Sequence, residues 1–150
     1  MIRDNVHTST LFRQLVKTPD FCKFAKEHED CLAEIPFPDY LSSLCQKQQL
    51  VPERVIKASQ IDRTYGHQLF NGTRKPSRDK ILQLAFGFHL TVEEAQRMLR
   101  FGGKSPLYPR IMRDAAILYC LSRGMNVFEA QDLLESLGLT LLGGDYRHGE

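Results

Sequence analysis

Throughout the 150-residue sequence, apolar residues recur three and four positions apart in short runs, and no sustained run alternates with a period of two. The first spacing lines one face of a helix and the second one face of a strand, so the pattern restricts the chain to helices. Cap residues divide the runs. Leu11, Phe12, Leu15 and Val16 mark a helix over Thr10 to Lys17, and Thr18-Pro19-Asp20 stops it and caps a second run through Phe21, Phe24 and Ala25. These two short helices are expected to pack on the rest. Ile35-Pro36-Phe37-Pro38 reads as extended, because each proline biases its predecessor away from the helical region. It separates an N-terminal arm, residues 1–36, from the body.

From Asp39 a helix is expected with Tyr40, Leu41, Leu44 and Cys45 on its apolar stripe and Gln46 to Gln49 as its polar end. Val51-Pro52-Glu53 starts the next, with proline acceptable in a first turn and Val55, Ile56 and Ser59 facing inward. Asp62 is a good N-cap for a helix from Arg63 to Phe70, closed by Asn71-Gly72. Pro76-Ser77 caps a helix with the stripe Ile81, Leu82, Leu84, Ala85 and Phe88. Thr91 with Glu94 makes a capping box for another, carrying Ala95, Met98 and Leu99 up to Gly102-Gly103. Pro106 and Pro109 mark a turn before a helix from Arg110, with Ile111, Ala115, Leu118, Tyr119 and Leu121 expected inside. Gly124 stops that helix, and Asn126 caps a last one with Phe128, Ala130, Leu133, Leu134 and Leu137 inside. The expectation is an all-α protein, a compact bundle of short helices. It divides into the arm, a body over 37–103, a helical extension over 104–142 and a disordered tail over 143–150.

Apolar residues make up 42% of the chain and charged residues 25%, the mix of a soluble globular protein. Neither a signal peptide nor a membrane span can be drawn, which makes the cytoplasm the expected location. Cys22, Cys31, Cys45 and Cys120 form no CxxC pair, so neither a zinc pattern nor a thioredoxin-like motif is present, and reduced, mostly buried thiols are expected. The five histidines lie in different segments without HExxH, phosphate-loop, GxSxG or paired Cys-His spacing. No catalytic, metal-binding or cofactor-binding residue is therefore expected, and the chain does not read as an enzyme.

The formal net charge is only +2, but it is unevenly spread. Residues 1–36 hold five basic and six acidic side chains, residues 37–80 eight and four, and residues 81–150 seven and eight. The middle stretch alone is basic, as a polyanionic partner requires, although cations on a solvated face would look the same.

Within that stretch, Leu50 to Ser77 runs as helix, tight turn, helix, Gly turn and Arg-Lys-Pro-Ser. The pair Val55-Ile56, the turn Ile61-Asp62-Arg63-Thr64 and the run Leu69 to Ser77 resemble the helix-turn-helix of the Cro and lambda-repressor-like superfamily, also called the XRE family. Ile61 through Gly72 is similar to the signature of a group of such proteins in Gram-positive bacteria. That likeness runs on through Ser105-Pro106-Leu107-Tyr108-Pro109-Arg110 and Gly138-Leu139-Thr140-Leu141-Leu142, so it covers nearly the whole chain. It implies double-stranded DNA as partner, with a recognition helix at about 62–70 in the major groove. A recognition helix presents its first turn and one exposed face to base edges, which makes Arg63, Thr64, His67 and Gln68 the candidate base readers. Arg54, Lys57, Arg74, Lys75, Arg78 and Lys80 are the candidates to neutralise phosphates. Tyr65 reads as a packing residue.

The sequence departs from the superfamily pattern at three places. Val51-Pro52 stands where a Ser cap and a phosphate-contacting Gln are usual, Gly66 where a bulky apolar residue is usual, and Phe70 where an acidic residue is usual. Two functions follow as alternatives: a sequence-specific transcriptional regulator, or a protein-interaction adaptor that keeps the fold. Salt-dependent DNA binding separates them. Regulators of this type work as dimers, and the helices from Arg110 to Leu142 could form the dimer surface or pack back on the body.

Overall fold

The computed structural model describes residues 8–29 and 35–144. Among these the chain is all-α, with nine helices and no strand: α1 (Thr8–Lys17), α2 (Phe21–Glu27), α3 (Phe37–Gln48), α4 (Pro52–Ala58), α5 (Arg63–Asn71), α6 (Arg78–Gly87), α7 (Val92–Phe101), α8 (Met112–Ser122) and α9 (Val127–Ser136). No described helix is long and apolar enough to cross a membrane. The described residues fall into two units, one up to Ile35 and one from Pro36 onward, and the body and the extension both lie in the second.

The caps act as their residue types dictate. Asp20, Asp62, Ser77, Thr91 and Asn126 each accept the backbone N–H three residues on, and Thr91–Glu94 and Asn126–Glu129 close full capping boxes. Each cap satisfies an N–H that the helix cannot, worth about 1 kcal/mol. Three starts differ from expectation: α1 begins at Thr8 rather than Thr10, α8 at Met112 rather than Arg110, which lies in a turn, and Phe37 and Pro38 are not extended but form the first turn of α3. A proline there gives up only an N–H that had no helical partner, and its fixed φ already suits the helix. Within the first unit, α1 buries no residue and α2 buries Phe24.

In the second unit α6 is the hub. Every residue from Ile81 to Phe88 is buried, and α4, α7 and α9 all pack on this helix. Further pairs are α3 with α5, α4 with α5, α7 with α8 and α8 with α9. The C-terminal helices thus pack back on the body, and the polar residues that fasten them also correct the expected faces of α8 and α9. In α8 the buried positions are Asp114, Ala116, Ile117, Cys120 and Leu121, whereas Ile111 and Tyr119 are exposed and Ala115 and Leu118 half-buried. In α9 they are Val127, Ala130, Gln131 and Leu134, with Phe128 and Leu137 exposed and Leu133 half-buried. A carboxylate and an amide sit on the inward faces, so apolarity alone rotates both helices wrongly.

Both inward polar groups have partners, as burial demands. Arg78 and Asp114 form a bidentate pair at 3.1 and 3.0 Å, and Asp79 and Arg113 form a second at 3.0 and 2.9 Å, so neighbouring residues at the start of α6 are crossed with neighbouring residues in α8. Arg113 also donates to the carbonyls of Thr140 and Leu141, and the Gly143 N–H donates to Asp79. Gln131 clasps the backbone N–H and C=O of Leu142, and Gln96 does the same for Leu107. Gly143 is therefore tied down, while residues 145–150 of the expected tail lie outside the described residues. Cys45 and Cys120 are buried free thiols, Cys22 is exposed and free, and Cys31 lies outside the described residues. Burial pushes the Cys45 and Cys120 thiols up from their ordinary value.

Candidate nucleic-acid interface

The two short helices α4 and α5 meet through a turn, Ser59 to Asp62, whose geometry is set from below. Gln60 takes a left-handed conformation (φ 57°), and the wholly buried amide of Gln83 on α6 donates to the carbonyls of Ser59 and Gln60 at 3.1 and 3.3 Å. Helix α4 is gripped at two glycines. A Cβ at Gly66 of α5 would lie 2.4 Å from Ile56 Cγ2, and one at Gly87 of α6 would lie 1.9 Å from Ser59 Oγ and 2.9 Å from the Val55 carbonyl. The unusual Gly66 therefore has a steric reason: it lets the two helices approach until Ile56 rests on bare backbone.

This clamp fixes which way α5 faces. At about 100° per residue, Arg63, Thr64, His67, Gln68 and Asn71 fall on one side, and Gly66 and Leu69 lie buried on the other. Arg63 and Thr64 are exposed, and His67 and Gln68 half-buried. All four candidate base readers thus share one face. Two are held by neighbours: Arg63 pairs with Glu53 of α4 at 2.8 Å, both well exposed, and Gln68 Oε1 accepts from Arg74 Nε at 3.1 Å. The Arg74 guanidinium lies 4.4 Å above the Tyr65 ring centre and the Lys80 ammonium 5.3 Å from it. Tyr65 is a half-buried platform that orders two cations.

The six candidate phosphate contacts separate into three groups. Arg54, Lys57 and Lys75 are exposed, as is Arg74 on its tyrosine. Lys80 is partly withdrawn; it donates to Gln83 Oε1 at 3.1 Å, and burial lowers its pKa against the opposing charges of Asp79 and Asp62. Arg78 does not belong with them. Its guanidinium donates to both oxygens of Asp114 and to the carbonyls of Ser105 and Pro106, which engages four of its five N–H groups internally. Its basic neighbours in sequence gave no hint of this, because the partner lies 36 residues away.

Gln83, Gly66 and Tyr65 escape a search for charged groups, since they hold the α4–α5 turn, α5 and the nearby cations in place without lying on the face that carries Arg63, Thr64, His67 and Gln68. The signal in Gln83 is a lone amide inside the apolar run Ile81-Leu82-Gln83-Leu84-Ala85. A second surface lies on α8, where Ile111, Met112 and Tyr119 are 52%, 66% and 47% exposed beside half-buried Ala115 and Leu118, on a single arc of the helix. Comparison of the chain with protein-family models, with curated proteins and with solved structures finds no match.

Proposed function

We propose that the chain is a cytoplasmic, sequence-specific DNA-binding regulator that inserts α5 into the major groove. The observation that carries this reading is the common face of Arg63, Thr64, His67 and Gln68 on a short helix held at close quarters by α4. Such a face offers bidentate donors for guanine from Arg, both halves of an adenine pair from Gln, and a hydroxyl and methyl from Thr. Exposed cations on α4, Arg54 and Lys57, and on the turn after α5, Arg74 and Lys75, are available to neutralise phosphates. The likeness of Ile61–Gly72 to lambda-repressor-like signatures supports the same docking. The outer arc of α8, with Ile111, Met112 and Tyr119, supplies a surface for the dimer that such regulators need. That arc is also what favours the second reading, an adaptor that holds a protein partner and no DNA.

Fluorescence anisotropy of the full chain decides between them. The duplexes are a random one and the DNA upstream of the chain's own gene, each at about 50 and 200 mM salt. The regulator reading expects tight, salt-sensitive binding to the upstream duplex that weakens by about 5- to 150-fold in Arg63→Ala, the equivalent of one lost base contact. Absence of binding to either duplex at low salt overturns the regulator reading and leaves the adaptor reading, which a pull-down for a protein partner then tests.

A further inference from the structure

A cavity of about 420 Å³ opens between the first turn of α3, the Gly72–Pro76 turn after α5 and the Gly102–Lys104 turn after α7. Its size is that of a small-molecule site. Phe37, Pro38 and Phe101 give it an apolar floor, and the Phe101 ring is held flat by stacking on Tyr40 at 4.5 Å. Arg74, Lys75 and Lys104 line it as its exposed cations, and no described lining residue carries a carboxylate. Among the described residues Lys75 and Lys104 have no carboxylate partner, and the Arg74 side chain is bound only to the neutral Gln68 and Tyr65. Three positive charges around one concavity repel each other, and a single anion seated among them relieves all three pairs at once. A bare phosphodiester would satisfy the cations and leave the floor unused.

We infer that this cavity binds a small organic anion, a carboxylate, sulfonate or phosphate head on a flat apolar body, with the head among Arg74, Lys75 and Lys104 and the body on Phe37, Pro38 and Phe101. The consequence for DNA rests on the regulator reading. The head draws Arg74 away from Gln68 and neutralises two of the candidate phosphate contacts, so ligand and DNA oppose each other and each weakens the other by the same factor.

The probe is 8-anilinonaphthalene-1-sulfonate, titrated into the full chain and followed by amide chemical shifts. Saturable shifts confined to Gly72, Gly103, Lys104 and their neighbours are expected, with affinity falling about 3- to 10-fold in each of Lys75→Gln and Lys104→Gln. These are exposed positions where the change leaves the fold intact. Inorganic phosphate and neutral N-phenyl-1-naphthylamine, each having half of the required chemistry, bind at least about ten-fold more weakly. Shifts that fail to saturate, that centre elsewhere, that match those of the neutral probe or that ignore both lysine changes overturn the inference. Titration of the probe into a DNA complex then reads the coupling. A chain that binds the probe in the cavity but no DNA retains the ligand site and loses the regulator reading; one that binds DNA but not the probe does the reverse.

Discussion

Ile56 rests on Gly66 so closely that any side chain there must displace it, and this single contact sets two opposing terms against each other. Replacing Gly66 with Ala gains up to about 1 kcal/mol of helix propensity. The new methyl would lie 2.4 to 2.9 Å from three Ile56 carbons in a wholly packed interior, an overpacking that costs about 1–3 kcal/mol. Thermal unfolding of Gly66→Ala should therefore show a net loss of about 1 kcal/mol, and an increase in Tm would mean that α4 and α5 can separate freely. Asp114 offers a second residue-scale test. Burial alone would raise its pKa, but the bond from Arg78, the Tyr108 N–H and the charges of Arg78 and Arg113 outweigh that and hold the carboxyl below its ordinary value. A depressed pKa contributes stability that is complete above the unfolded value of about 3.9 and disappears as pH falls through the folded value. The share of stability that Asp114 contributes should accordingly be lost below about pH 4, as chemical denaturation of the parent in acid would read. Asp114→Asn should be less stable by about 3 kcal/mol at neutral pH, because Arg78 is left with a neutral partner, and flatter in acid. Parallel pH profiles would deny the ion pair this role.

At the scale of the helix, what the sequence reveals and what it hides follow from the range of the forces involved. Caps and glycine stops act within four residues, so Asp62, Ser77, Thr91 and Asn126 are legible as helix starts without knowing anything distant. The inward faces of α8 and α9 are not legible, because Asp114 and Gln131 are tolerable inside through partners that include the distant Arg78 and Leu142. The same applies within the basic stretch. Arg54 and Arg78 look alike in sequence, yet one is exposed on α4 and the other locks the start of α6 to α8. Two substitutions separate the roles if α5 reads DNA. Arg54→Ala should weaken binding about equally on all duplexes and reduce the slope of log affinity against log salt by about 1, with Tm unchanged. Arg78→Ala should instead lower Tm, by leaving the buried Asp114 carboxylate without its cation, and leave the salt slope as it was when measured well below that Tm. A reduced salt slope in Arg78→Ala would return this residue to the phosphate contacts.

Across the second unit the crossed pairs at residues 78–79 and 113–114, with the Gln96 and Gln131 clasps, make the C-terminal helices part of the body. Their inner faces are therefore occupied, and the apolar arc of Ile111, Met112, Ala115, Leu118 and Tyr119 is a second, outward surface rather than displaced core. That distinction makes dimerisation testable apart from folding. Met112→Glu with Tyr119→Glu places two like charges on residues already 66% and 47% exposed, so the monomer keeps its core, while a two-fold contact through this arc would bring four carboxylates together. Light scattering behind size-exclusion chromatography should find the parent as a dimer and the double variant as a monomer of 17.2 kDa, with Tm changed little at concentrations where both are monomeric. Affinity for a duplex with two half-sites one helical turn apart should drop in the variant, while affinity for a single half-site stays the same, since each monomer's α5 is untouched. A parent that is already monomeric at the highest concentration measured, with equal affinity of both chains for the two-site duplex, would leave α8 with no part in a DNA-bound dimer.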